Sequence, residues 1–116
     1  MTTITDIAEA FSAHRFTDAV PHLAADARWV LVGQSTLEGC DAIVAACENT
    51  AAELAGTTTT FTRFLTVAGA DAVVVDAVAR YVDASGQAAV VSSCDIYEFA
   101  GEALTTITSY AVELNE

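Results

Sequence analysis

The stretch Val90-Val91-Ser92-Ser93-Cys94-Asp95-Ile96-Tyr97-Glu98-Phe99 is followed by Ala100-Gly101-Glu102 and then by Ala103-Leu104-Thr105-Thr106-Ile107-Thr108-Ser109-Tyr110-Ala111-Val112-Glu113-Leu114. Two β-rich runs around a short glycine-bearing break are the pattern of a hairpin. Side chains alternate between the faces of a strand, so Ser93, Asp95, Tyr97 and Phe99 share one face. Asp95 is therefore a carboxylate set among apolar and aromatic neighbours.

Working outward toward the N-terminus, the β character continues. Ala84-Ser85-Gly86 turns the chain into the run Gln87 to Phe99. Before that turn lies a long Val/Ala run, Ala72 to Asp83, and Gly69-Ala70-Asp71 connects it to the Thr-rich, β-branched segment Thr57 to Ala68. Gly56 marks the change of regime. Upstream of it, Ile43, Cys47, Thr50, Ala51 and Leu54 recur at helical spacing behind Asp41, predicting a helix over 41–55. Gly33 to Gly39 reads as a loop, and Arg28 to Val32 as a short strand. Thr3 or Thr5 caps a first helix near 4–12, with Ile4, Ile7, Ala8 and Phe11 on one face. Ser12 to Arg15 interrupts the pattern. Thr17 caps a second helix near 17–25, with Phe16, Val20 and Leu23 on its apolar side and Pro21 close to its start. Three helices followed by a four-strand meander, with one short strand between helices two and three, is an α+β pattern. No linker or solenoid-type repeat divides the chain, and residues 1–116 are expected to form a single domain that buries about two thirds of its unfolded surface.

Composition narrows the partners. The chain is 53% hydrophobic and 17% charged, which predicts a folded globule. Sixteen acidic residues face four basic ones (Arg15, Arg28, Arg63 and Arg80), and there is no lysine. A net charge of −12 repels phosphate backbones and anionic lipid, so neither nucleic acid nor a membrane surface is an expected partner. No run approaches the roughly 20 apolar residues of a membrane span, and the N-terminus lacks the basic and apolar regions of a signal peptide. Cys40, Cys47 and Cys94 are odd in number and lack metal-ligand spacing, which fits reduced thiols in a cytoplasmic protein. They read as small buried hydrophobes. His14 and His22 have no ligand spacing and lie outside the strands. Each is a candidate base, since histidine titrates near neutrality, with a surface position as the favoured reading, and no metal or other cofactor is expected.

Three further pieces carry a resemblance: Phe16 to Val20 with Leu23 to Trp29, Leu37 to Ile43, and Cys94 to Phe99 before Leu104 to Tyr110. In that order and spacing the chain resembles the nuclear transport factor 2-like superfamily, in its SnoaL-like branch, over nearly its whole length. The resemblance implies a cystatin-like roll, in which a cone-shaped, curved, mixed or antiparallel sheet wraps three N-terminal helices and leaves an opening at one end. The superfamily holds ketosteroid isomerases, limonene-epoxide-type hydrolases, polyketide cyclases and non-enzymatic binding domains, so the shared fold does not decide the function.

Asp95 matches the position at which ketosteroid isomerases keep a protonated aspartic acid as an oxyanion donor. A carboxyl in an apolar cavity resists ionisation and can then donate a hydrogen bond at neutral pH. The alternative for Asp95 is a buried carboxylate accepting bonds from the backbone or hydroxyls. The isomerase base falls at Leu31, and the tyrosine of its first helix at Ile7, so steroid isomerisation is not expected. The final-strand aspartate of the epoxide hydrolases falls at Ser109. Their third-strand Arg and Asp fall near Asp76 and Val78, or near Arg80 with a one-residue gap. Trp29 shares a strand face with Leu31 and either lines the cavity or packs in the core. Tyr81 and Tyr97 either donate to a ligand oxygen or serve packing. The resulting candidate set is Asp95 as the catalytic acid or hydrogen-bond donor, with Trp29, Leu31, Tyr81, Tyr97 and Ser109 around a small, largely apolar ligand. The enzymatic reading is cofactor-free isomerisation, cyclisation or hydrolysis. The competing reading is a non-catalytic binding or assembly domain, which the residues at Leu31 and Ser109 favour. Finally, the strand Ala72 to Asp83 is apolar at both parities, so its second face should also be covered, as in a homodimer packed through the outer sheet.

Overall fold

The computed structural model describes residues 2–115. Its first helix, α1 (Ile4–Ser12), starts on a reciprocal cap. The Asp6 N–H donates to Thr3 Oγ1 at 3.1 Å, and the Thr3 N–H donates to Asp6 Oδ2 at 2.9 Å. This satisfies two of the donors a helix start leaves open and holds the Asp6 carboxyl below its ordinary value. Ile7, Ala8 and Phe11 lie buried on the inner face.

The second helix is shorter than the sequence pattern implies. α2 covers only Phe16–Ala19, and a 3₁₀ turn, Val20–His22, ends it. Pro21 explains the stop, because it has no N–H to extend a helical ladder. Leu23 to Ala27 then belongs not to a helix but to strand β1 (Leu23–Leu31). The expected loop 33–39 likewise contains a short strand, β2 (Ser35–Glu38), which folds back antiparallel on β1. α3 (Cys40–Leu54) follows, and then the meander β3 (Thr58–Ala68), β4 (Ala72–Val82), β5 (Ala88–Ala100) and β6 (Ala103–Leu114). Gly101, at φ 62°, is the first central residue of the two-residue β5–β6 turn, where a left-handed φ suits the strand twist.

The six strands form one sheet in the order β2-β1-β6-β5-β4-β3. All neighbours are antiparallel except β1 and β6, which run parallel. α1 packs on β3 to β5, and α3 packs on β1 and β2. A register shift near Phe61 and another near Phe99 mark bulges that help curve the sheet. The odd positions of β4 face the helices: Val73, Val75, Ala77 and Ala79 are all buried. Arg80 sits on the opposite parity with Val78 and Val82 and is exposed.

Register fixes the site before any side-chain detail. Leu31, Ser109, Asp95 and Val75 form one row across β1, β6, β5 and β4, and Trp29, Ile107, Tyr97 and Val73 form the adjacent row. Burial rises along β5 from half-buried Val91, Ser93 and Asp95 to buried Tyr97 and Phe99. The cone is therefore closed at the Tyr97 row and open toward Val91.

Candidate functional site

The end of α1 enters the cone from the helical layer. Here the Ala13 N–H bonds the Glu9 carbonyl, the His14 N–H the Phe11 carbonyl, and the Arg15 N–H the Ala10 carbonyl. Those last two bonds form a Schellman stop, whose left-handed position is usually glycine. His14 occupies it, at φ 64°. A side chain in this conformation costs about 1 kcal/mol or more relative to glycine. The stop turns the imidazole into the cone, beside Phe16, Phe61 and Tyr81 at ring-centroid distances of 5.7, 6.1 and 5.9 Å.

There the His14 Nε2 and the Tyr81 hydroxyl lie 2.8 Å apart, within hydrogen-bonding distance. The other ring nitrogen, Nδ1, is buried without a protein partner. Burial pushes the His14 pKa down, and the nearby Asp95 charge opposes that shift without cancelling it. Burial, followed by the charge of Asp95, pushes the Tyr81 phenol up.

One residue before that helix stop, the Ser12 hydroxyl donates to Asp95 Oδ2 at 2.8 Å. Ser12 Oγ also lies 2.6 Å from the Tyr97 hydroxyl. A hydroxyl has a single proton, so with Ser12 donating to Asp95, Tyr97 donates to Ser12. The result is a directed chain, Tyr97 to Ser12 to Asp95. Burial raises the Tyr97 phenol well above its ordinary value, with Asp95 adding to it, so the phenol keeps its proton and remains a donor. On the neighbouring strands, the Trp29 indole N–H donates to Ser109 Oγ at 2.9 Å, and Phe11 meets the Trp29 ring edge-to-face at 5.0 Å.

Together these groups bound a cavity of about 180 Å³. Its lining includes Asp95, Trp29, Leu31, Tyr81 and Ser109, five of the six residues singled out from the sequence. The sixth, Tyr97, lies behind the cavity floor with 0% exposure and touches cavity-lining Ser12 and Phe11. None of the four arginines is among the lining residues. Sequence reasoning misses Ser12 and favours a surface position for His14 over its alternative as a base. The histidine it places on the surface lines the cavity, because the helix stop points it inward. A helix ending without glycine, at a histidine, was the available signal. His22 lies in the 3₁₀ turn, outside this cavity.

Among the described residues, no three His, Cys, Asp or Glu side chains gather as a metal site, and no helix is long and apolar enough to cross a membrane. The cysteines are free. Cys47 is buried, and its thiol is pushed up to about 11, which keeps it protonated and unreactive. Cys40, the first residue of α3, and Cys94, on the outer face of β5, are half-buried rather than buried.

Residues 4–107 match the SnoaL-like domain. The chain belongs to that family. Solved structures similar to this SnoaL-like domain include a nuclear transport factor 2-like protein of unknown function from Cytophaga hutchinsonii, 29% identical with a TM-score of 0.80, over 91% of this chain and 93% of that one. Another is a nuclear transport factor 2-like protein from Burkholderia xenovorans, 18% identical with a TM-score of 0.73, over 94% and 88%. A third is a polyketide cyclase candidate from Pseudomonas putida, 14% identical with a TM-score of 0.74, over 95% and 92%. No curated protein sequence matches the chain. The α+β fold drawn from the strand and helix pattern is thus that of the family, and it leaves the chemistry to the cavity.

The histidine gives a pH signature that tests the site geometry. Protonating His14 in the folded protein charges a buried ring, so the folded state holds that proton more weakly than the unfolded chain does. Its stabilising contribution is fully present above the unfolded value of 6.5 and is lost as the pH falls through the lowered folded value. We expect the unfolding free energy to drop more between about pH 7.5 and about pH 5 in the wild type than in His14→Asn, which tolerates the left-handed position but does not titrate there. Urea denaturation of both proteins at the two pH values measures the difference. Equal slopes would place His14 in solvent.

Proposed function

We propose that this SnoaL-like domain binds a small, largely apolar carbonyl compound in its cone and moves a proton on it without a cofactor. The observation that supports this reading is the presence of two titratable side chains, Asp95 and His14, on the wall of one cavity whose other surfaces are mainly apolar. A lowered imidazole pKa keeps a basic nitrogen available at neutral pH, and Asp95 is oriented by Ser12. In this reading one of the pair removes a proton next to the carbonyl while the other, with Tyr81, hydrogen-bonds the oxygen that gains charge. Polyketide cyclisation and isomerisation both contain such a step.

The test needs no knowledge of the pathway. Cyclohexanone and 2-indanone in D₂O should take up deuterium at the α-carbon faster with the protein than in buffer, as followed by proton NMR. Ketone binding without faster exchange would instead favour the non-catalytic reading, which Leu31 and Ser109 support by standing where enzymes of this fold carry carboxylates.

The free thiols support a reducing, cytoplasmic setting in this reading. A homodimer belongs to it as well. Leu65, Val67, Tyr110 and Val112 are 47–62% exposed, and register places all four on the outer sheet face with Val74, Val78 and Ile96. Light scattering at high micromolar concentration should give twice the 12.0 kDa chain mass. Val112→Glu, at the exposed end of β6, should shift that mass to the monomer without unfolding the protein. A monomeric wild type would remove the dimer from the reading.

A further inference from the structure

A second cavity of about 370 Å³ lies on the other side of Phe16, between the α2 region and α3. Its walls are Val20, Pro21, Val44, Cys47 and Ala51, with Thr17 and Glu48 also lining it. Among the described residues, Phe16 is the single side chain that lines both this cavity and the one beside Asp95. Its ring meets Phe11 edge-to-face at 5.3 Å and lies 5.7 Å from the His14 ring, so it closes the first cavity from the α2 side. Both cavities have a wall on α3. Thr50 of α3 lines the first cavity, and Cys47 and Ala51, within a turn of it on the same helix, line the second. The first cavity alone is smaller than the roughly 300–1,000 Å³ of ordinary ligand sites, whereas the two together fall inside that range.

We infer that Phe16 is the specificity-determining partition of a longer apolar site, and that it sets the length of the molecule the cone accepts. This rests on the proposed reading of the cavity beside Asp95 as the ligand site. With Phe16 in place, the site takes a compact ligand whose oxygen lies near Asp95 and His14. Without its ring, an apolar chain attached to that same polar end passes over Thr50 and lies along Val20, Val44 and Ala51. Each buried methylene then contributes about 0.8 kcal/mol, close to a fourfold gain in affinity.

The experiment compares 2-pentanone with 2-undecanone, titrated against the emission of Trp29, the chain's single tryptophan and a wall of the first cavity. The wild type should bind 2-pentanone and should bind 2-undecanone more weakly, because the cavity beside Asp95 has no room for the longer chain. Phe16→Ala should bind 2-undecanone at least tenfold more tightly than the wild type does, and should shift the affinity ratio of 2-undecanone to 2-pentanone by at least tenfold. Phe16→Leu, which keeps more of the packing, should move in the same direction by a smaller factor and carries the test if the alanine variant folds poorly. Adding Ala51→Phe, which fills the second cavity from an exposed helix position, should remove the gain for 2-undecanone and leave 2-pentanone unaffected. An unchanged chain-length dependence in both Phe16 variants overturns the partition while leaving the ligand site intact. A gain that survives Ala51→Phe also overturns it, because the chain would then lie elsewhere. If neither ketone perturbs Trp29 in any variant, the ligand-site reading fails and the inference falls with it.

Discussion

Replacing Asp95 with asparagine should lower protein-dependent deuterium exchange of the ketone probes by about 10² to 10⁴ while changing stability by less than about 1 kcal/mol. The two effects separate because the side chain has two roles. As an acceptor it receives the Ser12 hydroxyl at Oδ2, 2.8 Å away, and the asparagine carbonyl oxygen can take over that bond. As an acid or base it exchanges a proton, which an amide does not do near neutral pH. Asp95→Ala removes both roles. It should match the asparagine variant in lost exchange and in addition destabilise by about 1–3 kcal/mol, since the Ser12 hydroxyl loses its acceptor in a partly buried setting. Ketone exchange measured by NMR beside urea denaturation gives both quantities for each variant. Full exchange activity in Asp95→Asn would take Asp95 out of the proton transfer and leave His14, beside Tyr81, to explain it.

The largest loss of stability should come from Tyr97→Ala, at about 3–5 kcal/mol. Tyr97 has 0% exposure and meets Phe11 edge-to-face at 5.8 Å, so truncation opens a cavity where β5 meets α1. Tyr97→Phe removes only the hydroxyl. It should cost about 1–3 kcal/mol, because Ser12 Oγ loses its buried donor. In a cycle with Ser12→Ala, the double variant should be less damaged than the sum of the singles, since the same hydrogen bond is lost in each. Additive losses would mean the two hydroxyls act independently. Ketone exchange should fall in Ser12→Ala through misorientation of Asp95, with its pH profile retained.

Which parts of this were legible in the sequence follows from how each is encoded. The meander is local: alternation and Gly turns specify Thr58 to Leu114 almost to the residue, and alternation alone puts Asp95 on the inner face. The second helix failed because Phe16, Val20 and Leu23 also fit helical spacing, while Pro21 and the pairing of β1 with β6 decide the matter by tertiary contact. Trp29, Leu31, Tyr81 and Ser109 were found through strand faces and family correspondence. Ser12 was not, and for His14 the surface position was favoured over a role as a base, because their placement arises from a backbone turn at the end of α1. Nothing in a polar residue's identity there tells whether it points to water or inward. For Tyr97 the strand face was legible and the choice between ligand donor and packing was not, since depth along a cone depends on where the helices close it.

The parallel pairing of β1 with β6 has a consequence for how the protein is made. The contacts that build the cavity join distant parts of the chain: Trp29 with Ser109 across 80 positions, and Ser12 with Asp95 across 83. The hairpins of β3 to β6, by contrast, close over short turns and bear little loop-closure entropy. During folding the meander should acquire hydrogen-exchange protection early, with the strand of Trp29 and the end of α1 docking afterwards. A nascent chain still lacking β6 would have β2 alone beside β1 and no wall at Ser109. Ligand binding would then begin only at the last step of assembly and, by mass action, would stabilise that step above all others.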